Sequence, residues 1–347
     1  MVRASIIIVN YNTFTHITDC LRSIEPVLAD NDEVIVVDNC STEEENQQIP
    51  LMFPWIKFIN SDQNPGVGGG NNIGAKFAQG KYLVFINPDI TVTEGWIDSL
   101  VTTLESYPGA GMVTPKILIM QEPNKINTCG LDIHVSGLSL CKGIYEDKVR
   151  FSSIEEVNAI SGTAFIIKKE VFQHIGSFDE DVFLYMEDVD ISMRGRLAGY
   201  TCLFDPNSIV YHKYALSFGA KKVFYEEYHR YLILLKCYRI ITLFFMLPVM
   251  ILTEIVTWGF VLLKDRKNWR NKIRAYALII KNWRRVLDNH KKTQRIRKVK
   301  DRDLLLRHTV NLAYEQTGMG IISRISHIVF DSLYFLLTRI AYIFIWW

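Results

Sequence analysis

Six cysteines in 347 residues, at positions 20, 40, 129, 141, 202 and 237, include no CxxC pair. That spacing argues against a zinc knuckle or a disulfide scaffold and fits a reducing compartment. A signal-peptide apolar core is also missing. The first apolar run, "SIIIVNYN", starts at Ser5, is too short for such a core and reads as a strand. No internal repeat, low-complexity tract or DNA- or RNA-binding motif occurs. The glycine-rich stretch "NPGVGGGNNIGAKFAQG" (64–80) does not fit GxxxxGK[ST], which excludes a P-loop.

What is present is ample apolar material, 49% of the chain, with a mean hydropathy of +0.09. That suffices for a packed core, and the length suits one large domain with an appendage, or two domains. The net charge of +2 hides an asymmetry: residues 1–263 carry 20 Lys and Arg against 31 Asp and Glu, while residues 264–307 carry 17 against 4. The acidic and basic parts are different objects.

Four apolar runs, "SIIIVNYN" (5–12), "DEVIVVDN" (32–39), "IKFIN" (56–60) and "KYLVFINPD" (81–89), alternate with segments of helical spacing such as Ile17, Leu21, Ile24 and Leu28. Strands without a polar face, alternating with helices, predict an α/β fold with a mostly parallel sheet covered on both sides. Ligands of such sheets bind beyond the carboxyl ends of the strands. The positions there are Asn10, Tyr11 and Asn12, then Asp38 and Asn39, then Asn60 to Gly70, then Asn87, Pro88 and Asp89. Residues 110–168 read as short mixed strands, and "TCLFD" (201–205) and "SIVYHKYALSFG" (208–219) follow as later elements.

Beyond Tyr238 the character changes. "IITLFFMLPVMILTEIVTWGFVLL" (240–263) carries one charge, Glu254, and is long enough to cross a hydrocarbon core of about 30 Å. The alternative for it is a buried core helix. The basic stretch 264–307 beside it reads as cytoplasmic and as a ligand for anionic lipid rather than nucleic acid. The terminal segment 325–347, with Asp331, Arg339 and a Trp pair, reads as lying in the membrane surface or inserting.

Several residues carry chemistry. Asp89 ends a buried strand and is held by Pro88, which suits a hard cation bridging phosphate oxygens; an Asx-turn is the plain alternative. Asp38 ends "VIVVD" and is a buried acceptor for a base N–H or a ribose hydroxyl; Ser41 or Thr42 with Glu44 or Glu45 would form a helix capping box beside it. The glycines after Asn64 let backbone N–H groups approach a ligand. "FLYMEDVDISMRGRLAGY" (183–200) puts Glu187, Asp188 and Asp190 at the start of what reads as an amphipathic helix. Side chains advance about 100° per residue. Asp190 therefore faces Arg194 as its partner, while Val189, Met193 and Leu197 give the buried stripe and Gly199 the C-cap. Glu187 and Asp188 remain at the first turn, where a partly desolvated acid serves as a general base or, more plainly, meets a helix N-terminus.

Together "SIIIVNYN", "VVDNCS", "NPGVGGGNNIGAKFAQGKYLVFINPD", "SGTAFIIKKEVFQHIGSFDEDVFLYMEDVDISMR" and "YHKYALSFG", in this order over residues 4–220, resemble the family 2 inverting glycosyltransferases of the GT-A fold, rhamnosyltransferase-like members above all. The resemblance implies a Rossmann-like, mostly parallel mixed sheet as the catalytic domain (1–225), followed by membrane-associated helices (226–347). It implies transfer of a sugar from a UDP- or dTDP-sugar to a lipid-linked or glycan acceptor, at the cytoplasmic face of the cell membrane and among membrane lipids. Asp38 would contact the nucleotide base, and Asn72 would line the donor pocket. Asp89 would ligate Mg²⁺ or Mn²⁺ on the diphosphate, with His212 as a further metal ligand. Asp188 would deprotonate the acceptor hydroxyl, with Glu187 orienting the acceptor or sharing that role. Asn10, Asn12, Asn64, Gly66 and Asn87 complete the expected donor contacts. Asn87 departs from the family's D-x-D pattern, standing where its first acid would be, which predicts weaker metal binding. Competing readings are a glycoside hydrolase, which needs two carboxylates but neither Asp38 nor Asp89, a nucleotidyltransferase, which would carry a basic glycine loop after the first strand, and a non-catalytic nucleotide-sugar-binding membrane scaffold.

Overall fold

The computed structural model describes residues 1–214, 220–264, 266–312 and 327–347. Residues 215–219 of the "YHKYALSFG" motif, and 325–326 of the terminal segment, lie outside the described residues. The chain divides into two compact units. One holds Met1–Leu131, Cys141–Gly195 and Tyr200–Leu216; the other holds Asp132–Leu140, Arg196–Gly199 and Ser217–Trp347.

The first unit is built on strands β1 (Ala4–Asn10), β2 (Asp32–Asp38), β3 (Lys57–Asn60), β4 (Tyr82–Ile86), β5 (Ile90–Val92), β6 (Ala110–Ile119), β7 (Glu122–Thr128), β10 (Glu155–Val157), β11 (Ala164–Lys168) and β12 (Thr201–His212). Short strands β8 (Leu131–Ile133) and β9 (Ser139–Cys141) pair separately. The main sheet runs β10-β12-β6-β11-β4-β1-β2-β3, with β5 on β12 and β7 on β6. β1 to β4 are parallel, β11 runs antiparallel between β4 and β6, and β12 is parallel to β6. "TCLFD" and "SIVYH" are one strand, β12, kept in one ladder by a register shift between Asp205 and Ile209. Val34 to Val37 and Tyr82 to Ile86 are all buried, because helices cover both faces.

Helices of this unit are α1 (Phe14–Ile24), α2 (Ile49–Met52), α3 (Gly66–Phe77), α4 (Trp96–Ser106), α5 (Lys169–His174) and α6 (Glu187–Leu197), whose last two residues are counted with the second unit. α1 buries Ile17, Leu21 and Ile24 at helical spacing. The glycine-rich stretch is not a loop before a helix: Gly66, Gly68, Gly69, Gly70 and Gly74 lie inside α3. Close packing explains this. A Cβ on Gly70 would stand 2.9 Å from Val9, and one on Gly74 would stand 2.5 Å from Ile7 Cγ2. Gly74→Ala is therefore expected to destabilise the fold by about 1–3 kcal/mol through overpacking, although helix propensity alone favours Ala by about 1 kcal/mol. A denaturation midpoint that stays put or rises would contradict this account of the helix–sheet contact.

The second unit contains α7 (Ala220–Cys237), α8 (Ile240–Phe245), α9 (Leu247–Lys264), α10 (Trp269–Lys281), α11 (Trp283–Arg295), α12 (Asp301–Leu305) and α13 (Ser332–Phe344). The expected single span over 240–263 is not formed. The stretch breaks at Met246 into α8 and α9, and Pro248, which has no N–H to donate, sits in the first turn of α9. Among the described residues no single helix is long and apolar enough to cross a membrane; only a bent pair, Leu247–Leu263 with Arg266–Lys281, reaches that length and composition. Glu254 of α9 is paired: it bonds Arg230 of α7 at 2.5 Å and Lys272 of α10 at 3.0 Å.

Candidate functional site

The carboxyl ends of β1 and β2 meet at the register pair Asn10–Asp38. Asp38 Oδ1 accepts from Asn10 Nδ2 at 2.8 Å and from the Ser41 hydroxyl at 2.6 Å, and Oδ2 accepts the Ser41 N–H at 2.9 Å. Asn10 is wholly buried; its amide also donates to Asn46 Oδ1 at 2.7 Å and its carbonyl accepts from Thr13 at 2.6 Å. Asn10 is thus a brace that aims Asp38, not a group open to a ligand. Asn12, at φ 53°, ties down the next loop by accepting the Thr42 N–H at 2.8 Å. The expected capping box does not form. Ser41 serves Asp38 instead, and the following 3₁₀ turn begins after Glu43 with no side-chain cap.

The entry to α3 is held by Asn64, whose Oδ1 accepts the Gly66 N–H at 2.9 Å and the Asn39 amide at 3.2 Å. Gly66 has φ +79°, and a Cβ there would meet the Phe183 carbonyl at 2.2 Å, so only glycine fits. Asn72 is engaged by the chain itself: both its amide groups bond Phe178, donating to its carbonyl and accepting from its N–H at 3.0 Å each. It fixes the segment leading to α6.

Asn87, Pro88 and Asp89 leave β4 half-buried. His212 ends β12, and its Nε2 stands 3.4 Å from Asp89 Oδ2. His212 Nδ1–H donates to Asn127 Oδ1 at 2.8 Å, which fixes the ring with Nε2 facing Asp89. Asp89 Oδ1 is buried and has no hydrogen-bond partner. Burial works to raise the Asp89 carboxyl, but the bond and charge of His212 outweigh it and hold the group below its usual range. The pair fits a divalent cation in its chemistry: the Asp89 carboxylate has an unpartnered oxygen, Oδ1, and His212 Nε2, once deprotonated, is a second donor beside the same carboxylate. Among the described residues no group of three or more His, Cys, Asp or Glu could hold an ion. Two protein donors, with the remaining positions left to water and phosphate, are what Mg²⁺ typically takes.

Glu187 and Asp188 open α6. Tyr185 and Met186 before them both have positive φ, 63° and 66°, an uncommon conformation for non-glycine residues that stores strain at the turn delivering the two acids. Asp188 Oδ2 accepts the Gly162 N–H at 2.8 Å, and Oδ1 accepts the Val189 N–H at 2.8 Å. Burial raises the Asp188 carboxyl against these bonds. Glu187 Oε2 is buried without a partner, and burial, then the charge of Asp188, push its carboxyl up to about 8. The two acids therefore divide: the charge of Asp188 helps to keep the proton on Glu187. Asp190 belongs to the fold, bonded to Arg194 at 2.6 Å with both side chains buried. α6 is not amphipathic; it is buried from Val189 to Leu197, since its charged residues pair inside.

A raised folded-state value means that folding favours protonated Glu187, so its stabilising contribution is present below the ordinary carboxylate range and is lost as pH rises through about 8. Glu187→Gln removes that loss. Its thermal midpoint is expected to gain on the unsubstituted protein as pH climbs from about 6 to about 9, and a gap independent of pH would refute the assignment.

Hydrogen bonds connect the two centres. Gly162 holds Asp188, and the neighbouring Thr163 carbonyl accepts the Asn87 N–H at 2.9 Å, two residues from Asp89. Asp38 stands two strands along, since β4, β1 and β2 are neighbours. Gly162 and Asn127 are residues of the site that sequence reasoning did not single out, and Ser41, expected as a helix cap, bonds Asp38 instead. Gly162 lay within "SGTAF"; Asn127, in "NKINT", has no local signal, because only the sheet brings β7 near His212.

The model of the family described as glycosyl transferase family 2 matches residues 5–176. An N-acetylglucosaminyl-diphospho-decaprenol L-rhamnosyltransferase of Mycobacterium tuberculosis is 26% identical over 238 residues, 62% of this chain and 77% of that protein. The low-salt glycan biosynthesis hexosyltransferase Agl10 of Haloferax volcanii is 28% identical over 202 residues, 55% of this chain and 61% of that protein. Among solved structures, GalNAc-T7 with UDP, GalNAc and Mn²⁺ aligns with a TM-score of 0.57 at 19% identity, over 67% of this chain and 48% of that one. TarS 1–349 of S. aureus aligns at 0.53 and 17% identity, over 84% and 90%. At such identities the structures show the fold, which is GT-A. Residues 5–176 are a family 2 glycosyltransferase domain.

Proposed function

We propose that this enzyme is an inverting transferase moving a sugar, with rhamnose the first candidate, from a UDP- or dTDP-sugar to a lipid-linked or glycan acceptor at the cytoplasmic face of the cell membrane. The observation that carries the proposal is the junction just described: a buried acid pair and an Asp–His pair joined through Gly162 and Thr163 at the carboxyl ends of neighbouring strands. The name of the mycobacterial relative, which specifies a rhamnosyl group and a diphospho-decaprenol acceptor, supports the choice of sugar and lipid.

In this reading Asp188 takes the proton of the attacking acceptor hydroxyl. The hydroxyl oxygen bonds the anomeric carbon as the bond to the diphosphate oxygen breaks, and a single displacement inverts configuration. The Gly162 and Val189 amides hold Asp188 in place and favour its charged form. Protonated Glu187 donates to an acceptor oxygen and orients it. Asp38, aimed by Asn10 and Ser41, receives the base or ribose. Asp89 and His212 hold Mg²⁺ or Mn²⁺, which when bound stabilises charge on the leaving diphosphate. A donor screen with UDP-, dTDP- and GDP-sugars, run with a lipid extract as acceptor source, tests the proposal. Turnover of a UDP- or dTDP-sugar is expected; turnover of none of the three would sink it.

A further inference from the structure

The helical unit carries most of the exposed apolar surface among the described residues. Among the described residues 21 of the 29 exposed large apolar side chains lie between Ile240 and Trp346, less than one third of the chain. On α9 the outward stripe includes Leu247, Ile251 and Ile255; on α13 it includes Phe335, Leu336 and Ile340. The inward face of α9 mixes Val249, Leu252 and Val261 with Thr253, and that of α13 is small or hydroxylated. Thr253, Tyr334, Thr338 and Ala341 are buried, and the Tyr334 hydroxyl donates to Thr253 Oγ1 at 3.0 Å. The Trp347 indole donates to Thr242 Oγ1 at 2.7 Å, fastening the chain end to α8. A helix pair in water turns its apolar stripe inward. Helices packed in lipid do the reverse, with small and hydroxyl-bearing residues between them.

The occupant of this face follows from charge. Arg270, Arg274, Lys281 and Arg284 of α10 and α11 are exposed, in the segment that carries 17 Lys and Arg against 4 acids. Such a surface fits anionic headgroups. The mode of insertion follows from Glu254. It lies near the middle of α9 and is bonded to Arg230 and Tyr231 of α7 and to Lys272 and Tyr276 of α10. The Arg230 and Lys272 side chains are wholly buried. If α9 crossed the bilayer, this network would be drawn to mid-depth, and with it the charged flanks of α7 and α10, which hydrocarbon does not tolerate.

We infer that α8, α9 and α13 form a one-leaflet anchor, lying in the plane of an anionic lipid surface with the Leu247–Ile251–Ile255 and Phe335–Leu336–Ile340 stripes in the acyl region and the basic α10–α11 segment on the headgroups. The inference stands on the helical unit alone and does not depend on the transfer reaction. The test is flotation of the full chain with phosphatidylcholine vesicles, with and without phosphatidylglycerol. The unsubstituted protein is expected to float with the anionic vesicles. Ile251→Glu with Ile340→Glu is expected to weaken this by at least about tenfold, without loss of the cooperative thermal transition. Arg270→Glu with Arg274→Glu, which leaves the apolar stripes intact, is expected to weaken it as well and to abolish its dependence on phosphatidylglycerol. Depth is read from an environment-sensitive dye on Ile251→Cys in a Cys40→Ser background, with brominated lipids as quenchers. Bromines near the headgroups are expected to quench most. Strongest quenching by bromines at the bilayer centre, or unchanged flotation of both double variants, would overturn the inference.

Discussion

Asp188→Asn is expected to lower the rate of sugar transfer by about 10²–10⁴-fold, the usual contribution of a positioned general base, with little change in donor affinity. The reasoning starts from the two backbone amides on its carboxylate, from Gly162 and Val189. An Asn side chain still accepts one of them, so the helix start survives while the proton acceptor is gone. The pH dependence sharpens the expectation. Burial raises the carboxyls of both acids, Glu187 to about 8. Activity is therefore expected to rise with pH as Asp188 ionises and to fall again as Glu187 loses its proton near 8, a bell whose limbs belong to the interacting pair. In Asp188→Asn the rising limb should vanish from the residual rate. A variant that keeps full activity would show that the acids serve the helix start alone.

Asp89→Ala is the second large effect. Several kcal/mol of charge stabilisation on a leaving group correspond to about 10²–10³-fold in kcat/KM. The loss should fall on donor use rather than on the fold, because Asp89 Oδ1 has no hydrogen-bond partner among the described residues and the side chain's ion-pair contact is with His212. Asp89→Ala is expected to respond weakly or not at all to added Mg²⁺ or Mn²⁺. Unchanged metal response and unchanged kcat/KM would remove Asp89 and His212 from donor binding.

Much of this was legible in the sequence for a physical reason. Parallel strands buried on both faces must be apolar throughout, so β1, β2 and β4 announce themselves, and the polar residues where they end, Asn10, Asp38 and Asn87 to Asp89, mark the carboxyl end of the sheet, where such folds bind ligands. Helical periodicity separated Asp190 from Glu187 and Asp188, and the buried Asp190–Arg194 bond follows that division. Three features were not legible. Periodicity cannot tell that Asn10 and Asn72 bond inward, because an amide at a strand end or on a helix serves backbone or ligand equally well. Hydropathy summed over 240–263 passes smoothly across Met246 and Pro248, where the helix breaks. The charged residues of α6 suggested a wet face, yet they pair inside the protein, so the helix is buried all round.

The account's central claim is that a nucleoside diphosphate lies between Asp38 and the Asp89–His212 pair. Titration calorimetry of the full chain with UDP and with dTDP, each with and without Mn²⁺, tests it most directly. The account predicts binding of one or both that strengthens with the cation and loses that gain in Asp89→Ala. Absence of binding by both nucleotides, or binding indifferent to the cation and to Asp89, would contradict it.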